Sequence, residues 1–195
     1  MNIKGARLVV FISGAVTMIL EILGARIIAP FFGTTIIVWS NLIGVVLIAM
    51  ALGYYLGGSL ADKTQKTKYI TRLLFAASIS IFFIVPIYKY ILIYIGGSVG
   101  TGSLISAFLF LTIPGVLSGM IITYTIRVCT HSTDTLGKTS GNLYGISTIG
   151  SIAGVFFTSL VLIPNFSVQT IILTTATILL ATSLFSKIFL TSSSS

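Results

Sequence analysis

The chain has 195 residues, of which 55% are hydrophobic and only 7% charged, and its mean hydropathy is +1.12. Because so little polar surface cannot cover a water-soluble globule of this size, the composition excludes an ordinary soluble protein and predicts a membrane protein. The formal charge of +8 is explained by basic residues that orient the chain in the bilayer and attract anionic headgroups, so no nucleic-acid partner is predicted.

Six apolar runs follow one another along the chain, each close to the roughly 20 residues that a helix needs to cross the hydrocarbon core. We place them in one domain, 1–190, at residues 8–30, 36–60, 70–95, 103–126, 143–163 and 167–189. The third run is the least regular, because Pro86 and Lys89 interrupt it. Residues 191–195 are predicted to be a disordered tail. The predicted fold class is all-α, a polytopic bundle of six transmembrane helices.

The first run contains two charged residues, Glu21 and Arg26, within FISGAVTMILEILGARIIAPFFG. Ionisable residues at membrane depth generally face the bundle interior, pair with another group or take up a proton. Five residues along a helix place the two about 140° apart around its axis, so they are poor partners for each other. We expect Arg26 to reach the outer surface or another helix. Glu21 is either a cation or proton site, or a protonated residue that hydrogen-bonds to a neighbouring helix.

Polar residues mark both ends of the second run. Asn41 enters it from the outer side, at a depth from which it could hydrogen-bond to Glu21, although an asparagine there is also a common hydrogen-bonding residue between helices. At the other end, Gly58, Asp62 and Lys63 lead into the connector ADKTQKTK. Asp62 is predicted either to hold a neighbouring helix terminus or basic residue, or to be a solvated connector residue.

The fourth connector contains Cys129 and His131, the single cysteine and the single histidine of the chain. A metal site needs three or four ligands and a membrane haem needs suitably placed axial ligands, so we predict no metal and no other cofactor.

The fifth run contains two pairs of glycines that are four residues apart, Gly141 with Gly145 and Gly150 with Gly154. Small residues at this spacing allow helices to approach closely in a membrane, so helix packing is one interpretation. The second and fifth runs are the richest in glycine, and six spans divide into three plus three of opposite orientation. The other interpretation is therefore a substrate route between two inverted repeats.

Lysine and arginine predict the orientation of the bundle. Almost all of them fall before the first run, in the second and fourth connectors, or at the end of the last run. Since basic residues are retained in the cytoplasm, the chain is predicted to be a multi-pass protein of the cell membrane with both termini cytoplasmic.

Two stretches resemble the transmembrane domain of the membrane-bound spermidine-synthase-like proteins, which fuse major-facilitator-like helices to a spermidine synthase domain. The run from Glu21 to Lys63 resembles the first two spans of that domain, and GNLYGISTIGSIAGVFFTSLVLIP resembles its fifth span. The acid, arginine, proline and glycine of the family's first segment are matched by Glu21, Arg26, Pro30 and Gly33. The exit that includes Gly58, Asp62 and Lys63 is also similar to a loop signature of major-facilitator transporters.

The resemblance implies a fold like half of a major-facilitator transporter, a 3+3 inverted repeat. Full-length family members also carry a cytosolic aminopropyltransferase domain, whereas this chain has three acidic residues and no glycine-rich loop after a soluble strand. We therefore expect no enzyme activity but a non-catalytic module, an anchor or structural subunit with further copies of itself or other membrane proteins as partners. The alternative is a small transporter, which could act as a dimer, that moves a cation such as a polyamine by way of Glu21.

Overall fold

The computed structural model describes residues 3–95, 97–130 and 136–191, and all regular structure in these ranges is helical. Six helices are long and apolar enough to cross a membrane. They are α1 Ile3–Phe32, α2 Ile36–Lys63, α3 Lys68–Tyr94, α4 Val99–Cys129, α5 Leu136–Asn165 and α6 Val168–Thr191. Within the described ranges, the prediction of an all-α chain with six helices long and apolar enough to cross a membrane is confirmed. His131 and all of the predicted tail except Thr191 lie outside those ranges.

Most helices extend beyond the predicted apolar runs. Only the part of a helix within the hydrocarbon core has to be apolar. Backbone hydrogen bonding continues into the polar residues on either side, so the helix is longer than its apolar run. Pro86 lies inside α3 without ending it. In α5, the turn Thr158–Leu162 is a π-helix that comes just before Pro164. Proline lacks the N–H of a regular helix, and a wider turn is one of the ways in which a helix adjusts near it.

Short connectors make successive helices run antiparallel. The connector 33–35 begins with Gly33, whose φ of 77° is a left-handed conformation that suits a residue without a Cβ. Its N–H donates to the carbonyl of Ala29 at 2.8 Å and so ends α1. The connectors 64–67 and 166–167 are equally brief. The start of α1 and the ends of α2, α4 and α6 therefore lie at one end of the bundle, which we call the basic end.

The name of the basic end comes from its side chains. Every lysine and arginine of the sequence lies in or beside the helix segments at this end, except Arg26 and Lys89. The charge asymmetry that the sequence predicts is thus preserved in three dimensions, and it gives the bundle two chemically different ends.

Helices α1 and α4 form the centre of the bundle and are the most buried of the six. Helix α5 packs on α1, and α2 packs on α4. Helices α3 and α6 pair with each other and lie against α4 and α1 respectively. Hydrogen bonds reinforce the α3–α6 pair, since Ser78 Oγ donates to the Ala176 carbonyl at 2.8 Å and Ser183 Oγ to the Thr71 carbonyl at 2.9 Å.

Glycines let the central pairs approach closely. A Cβ added to Gly53 or Gly119 in the α2–α4 contact would lie closer than 3.0 Å to backbone oxygen of the facing helix. The same holds for Gly14 in the α1–α5 contact, which faces the Ser147 carbonyl. Because little apolar driving force acts between helices in lipid, such close contact supplies much of the attraction between them.

Candidate intramembrane site and its surroundings

Glu21 lies well inside the membrane-spanning part of α1. It is about 27 Å from the start of the helix at Ile3 and about 17 Å from its end at Phe32, at 1.5 Å per residue. A 30-residue helix exceeds the hydrocarbon thickness by about 7 Å at each end when it is centred. In a helix centred in this way, Glu21 falls within the hydrocarbon layer, on the half nearer the end opposite the basic one.

The Glu21 side chain is partly buried beside a small cavity between α1, α2 and α4. The other lining residues are Thr17, Leu20, Val46, Leu111, Pro114, Gly115 and Ser118. The cavity has a volume of about 10 Å³, which is about what a single water needs. Pro114 has no N–H to donate to the preceding turn of α4, although the helix continues through it from Val99 to Cys129.

No hydrogen bond or ion pair reaches the Glu21 carboxyl from the residues that the structure describes. Thr17, the nearest hydroxyl along α1, donates instead to the Ser13 carbonyl at 2.8 Å. The hypothesis that Glu21 hydrogen-bonds to a neighbouring helix therefore has no support within the described part of this chain. The hypothesis of a cation or proton site keeps its geometric basis, an unpaired acid beside a small cavity.

Arg26 lies in a different environment from Glu21. It lines a groove of about 380 Å³ together with Ile27, Pro30, Phe31, Tyr88, Ile93 and Val168, which belong to α1, α3 and α6. The cavity at Glu21, by contrast, is lined from α1, α2 and α4. The two charges of the first span therefore face opposite sides of the bundle, as the helical angle between them implies.

Asn41 is not part of a site with Glu21. Its Nδ2 donates to the Gly100 carbonyl at 2.9 Å and to Ser103 Oγ at 2.8 Å, and so joins the start of α2 to the start of α4. Both N–H donors of the amide are thereby used. The hydrogen bond between Asn41 and Glu21 that their depth suggested is therefore wrong, and Glu21, Arg26 and Asn41 occupy three separate positions, because depth does not determine the direction of a side chain.

Asp62 holds a basic residue of a neighbouring helix. Its Oδ1 accepts from Arg127 Nε at 2.8 Å, which ties the basic ends of α2 and α4 together. Both side chains are exposed. Gly58, one turn earlier, has open space where a Cβ would point, and Lys63 is the exposed last residue of α2. Of the predicted loop residues, Asp62 is thus the one whose side chain makes a contact between helices.

The connector after Asp62 is anchored by Tyr124, which sequence reasoning missed. The Lys66 N–H donates to the Tyr124 hydroxyl at 3.2 Å, and that hydroxyl contacts the carbonyl oxygens of Thr64 and Lys66. Tyr124 is fully buried, and its ring lies 6.1 Å from that of Tyr69. A tyrosine within an apolar run shows no such partner in sequence, since the partners are backbone groups more than 50 residues away.

The four predicted packing glycines of α5 behave differently from one another. A Cβ on Gly150 or Gly154 would meet a backbone oxygen of α1, from Phe11 or Ala15, closer than 3.0 Å. Gly141 and Gly145 have nothing within 4 Å. The packing prediction for that second pair is therefore corrected within this chain, because the two glycines lie on the exposed face of α5. The α2–α4 glycines, such as Gly53, were detectable by the same small-residue spacing.

When the chain was compared with protein-family models, with curated proteins and with solved structures, no match was found. The resemblance to spermidine-synthase-like membrane domains stays a prediction. Functional interpretation therefore depends on the contacts within the chain itself.

Proposed function

We propose that this chain is a non-catalytic integral membrane module, a structural subunit that pairs with a second six-helix unit. The observation that carries the proposal is the partly buried Glu21 carboxyl, which lies within the hydrocarbon layer without a polar partner among the described residues. A carboxyl that faces lipid is costly, whereas a partner subunit can cover it and supply a hydrogen bond.

The proposed partner lies on the side of the bundle that Glu21 faces. The cavity at Glu21 is lined by α1, α2 and α4, whereas the α3–α6 pair covers the other side of the two central helices. The exposed Gly145 of α5 lies on a helix that also flanks α1. A surface made by α1, α2, α4 and α5 around Glu21 is therefore the proposed contact surface for the partner.

We further infer an inverted repeat of three plus three helices, as in half of a major-facilitator transporter. Support comes from the helix contacts, which map onto one another when α1, α2 and α3 are exchanged for α4, α5 and α6. The α1–α5 contact corresponds to α4–α2, the α1–α6 contact to α4–α3, and the α1–α2 contact to α4–α5. This exchange agrees with the resemblance to the spermidine-synthase-like membrane domain. It also favours a partner built in the same way.

The proposed location is the cell membrane, with both termini in the cytoplasm. Support comes from the basic end of the bundle, since lysine and arginine are retained on the cytoplasmic side. The anionic lipids of that leaflet would add attraction to the same end.

Disulfide cross-linking tests the pairing. In a Cys129→Ser background, Ala25→Cys places a thiol one turn after Glu21, and Phe83→Cys places a control thiol on the exposed surface of α3, where the side chain is 59% exposed. If the partner is a second copy, mild oxidation in native membranes links Ala25→Cys into a dimer and leaves Phe83→Cys monomeric. If the partner is a different protein, it co-purifies after mild detergent extraction. Isolation as a lone monomer under every mild condition would contradict the proposal.

A second candidate function is a small cation transporter, in which Glu21 binds a cation such as a polyamine. The specific observation in its favour is that the unpaired carboxyl lines the same cavity as Pro114, whose missing N–H leaves a carbonyl of the central helix α4 without its helical hydrogen bond. Acidic residues inside membrane bundles commonly mark ion or proton pathways.

Liposome uptake distinguishes the two candidates. For a transporter, labelled polyamine or a simple cation enters proteoliposomes faster than it enters empty liposomes. Glu21→Gln abolishes this difference, because the neutral amide removes the negative charge. For a structural subunit, no flux above empty liposomes is expected from either form. The matched control is Ala25→Gln, which introduces an amide one turn away on the same helix and keeps the Glu21 carboxyl.

A further inference from the structure

A groove at the basic end of the bundle lies outside the proposed partner surface. It is open at the surface between α1 and α6, and its volume is about 370 Å³. The exposed side chains of Leu8 and Phe185 form its edges. The cavity at Glu21 is lined from α1, α2 and α4 instead, so the groove opens on another side of α1 and the proposed subunit role leaves it unused.

The wall of this groove is apolar. None of its lining residues is charged, and its two hydroxyl groups donate their protons within α6. Thr182 Oγ1 donates to the Ile178 carbonyl at 2.7 Å, and Ser186 Oγ donates to the Ser183 carbonyl at 2.7 Å. A polar group placed inside the groove would lose its contact with water and gain little in return. The interior therefore suits a hydrocarbon chain.

The groove runs at the depth of acyl chains on the side of the basic end. From Ser186 to Ile178 it extends over eight residues of α6, about 12 Å, towards the membrane centre. Leu8 is about 8 Å from the start of α1 at Ile3, which is the edge of the hydrocarbon layer when α1 is centred. One end of the groove thus opens at the headgroups, and the other end lies among acyl chains.

Lys4 lies at the mouth of the groove. It precedes Leu8 by one turn on the same face of α1, and its side chain is exposed. This turn is about 6 Å closer to the basic end, at the level of lipid headgroups. A lysine there holds its ammonium group in the headgroup layer while its methylene stem stays beside apolar surface. The mouth of the groove is therefore positively charged, and its interior is apolar.

A lipid matches this groove better than a protein partner does. The groove is about two helical turns long and lies between only two helices, whereas a stable protein interface buries roughly 1,000 Å² or more. A phospholipid combines an acyl chain for the apolar interior with a phosphate for the basic mouth. In the proposed orientation, the basic end lies in the cytoplasmic leaflet, where anionic lipids are found.

We propose that the groove between α1 and α6 binds one anionic phospholipid, with an acyl chain along Val9 and Phe185 and the phosphate beside Lys4. The assignment to the cytoplasmic leaflet rests on the proposed orientation. The site itself does not depend on that orientation or on the proposed pairing of subunits.

Fluorescence quenching by brominated lipids tests this site. Trp39→Phe with Phe185→Trp places the single tryptophan at the edge of the groove, and this parent protein is reconstituted into phosphatidylcholine bilayers that contain a fixed fraction of one brominated lipid. We expect brominated phosphatidylglycerol to be preferred over brominated phosphatidylcholine at this tryptophan by about fivefold, the ratio that one basic residue near the membrane surface contributes to anionic lipid binding. Both leaflets contain the brominated lipid, so a wrong orientation would not change the result.

Lys4→Gln tests the charge at the mouth and is expected to reduce the preference to about one. The matched control is Arg7→Gln, which removes a charge three residues away on the same helix. Arg7 Nε donates to Asn142 Oδ1 of α5, so its side chain points away from the groove. This control is expected to leave the lipid preference unchanged.

Ala181→Leu tests the apolar interior separately from the charge. The larger side chain fills part of the groove and excludes the acyl chain, so the preference is again expected to fall to about one. Ala51→Leu adds the same atoms at an exposed position of α2 and is expected to retain the preference.

Three results would overturn the proposal. The first is a parent protein without a preference for the anionic lipid. The second is a preference that survives either Lys4→Gln or Ala181→Leu. The third is the absence of quenching by both lipids, since the groove would then be covered by protein.

Discussion

At the scale of single residues, the polar side chains of the bundle differ in the partners that they have. Asn41 uses both amide donors within the chain, on the first turns of α4. Asp62 pairs with Arg127 in an exposed position, where an ion pair contributes only about 0.2–1 kcal/mol. Glu21 and Arg26 have no partner among the described residues. Glu21, which has no hydrogen-bond or ion-pair partner among the described residues, is a position with a proposed external partner.

Tyr124 gives a residue-scale prediction. Tyr124→Phe removes the hydroxyl that receives the Lys66 N–H and contacts the Thr64 carbonyl, and so it leaves backbone groups of the second connector without a partner. We expect the free energy of unfolding to fall by about 1–2 kcal/mol. Thermal or chemical denaturation in a mild detergent measures it.

Tyr144→Phe is the control for this experiment. Tyr144 is 43% exposed, and its hydroxyl makes no hydrogen bond with the described residues. Its loss should leave the unfolding transition unchanged. Equal stability of the two variants would show that the hydroxyl of Tyr124 does not anchor the connector.

At the scale of helices, association depends on where the small residues face. The α1–α5 and α2–α4 contacts bring backbone against backbone at Gly150 and Gly53, whereas α3 and α6 are joined partly by hydroxyl-to-carbonyl hydrogen bonds such as that of Ser78. Close backbone contact leaves no room for a side chain, and a hydroxyl bond tolerates a wider separation. Hydroxyl hydrogen bonds also occur in the central layer, where Ser151 Oγ donates to the Gly14 carbonyl at 3.2 Å, so the α1–α5 pair combines both kinds of contact.

Two glycines of α5 give an element-scale prediction. Gly150→Ala puts a Cβ against the Phe11 backbone carbonyl, which cannot move without moving α1, so the variant should lose about 1–3 kcal/mol of stability. Gly145→Ala enters open space on the same helix and should be neutral or slightly stabilising, because alanine has the higher helix propensity.

Melting temperatures of the two variants as detergent-solubilised monomers measure the difference. The monomer is the relevant state, since the exposed Gly145 belongs to the proposed partner surface. A Gly150→Ala protein that melts no earlier than Gly145→Ala would contradict the close α1–α5 contact.

At the scale of the whole molecule, the bundle has chemically different ends and different sides. Basic residues lie at one end, Glu21 faces one side, and Arg26 faces the side that α3 and α6 form. Orientation in the membrane and the proposed protein contact therefore use different parts of one small domain.

Reporter fusions test the orientation. A fluorescent protein that matures only in the cytoplasm is expected to be bright when fused to either terminus, and an alkaline phosphatase inserted at 33–35 is expected to be active on the opposite side. The reason is that the basic end resists translocation. Phosphatase activity at the termini, together with none at 33–35, would reverse the orientation.

The number, type and approximate position of the helices were predictable from sequence, because each span has to satisfy its own backbone hydrogen bonds and present apolar side chains to lipid. The angle of about 140° between Glu21 and Arg26 also follows from helix geometry alone. The small-residue spacing indicated which glycines could pack, and Gly150 and Gly154 do lie against α1.

The amino-acid sequence alone thus predicts a membrane-spanning helical chain, the asymmetry of its charges and the separation of the two charges in its first span. The contact of Asn41 with α4, the pairing of Asp62 with Arg127 and the outward direction of Gly145 emerge only when the helices are packed together. The difference arises because helix formation in lipid is a local requirement, met residue by residue along the chain. The partner of a side chain depends on which helices pack together and at what rotation, which is set by contacts between segments far apart in sequence.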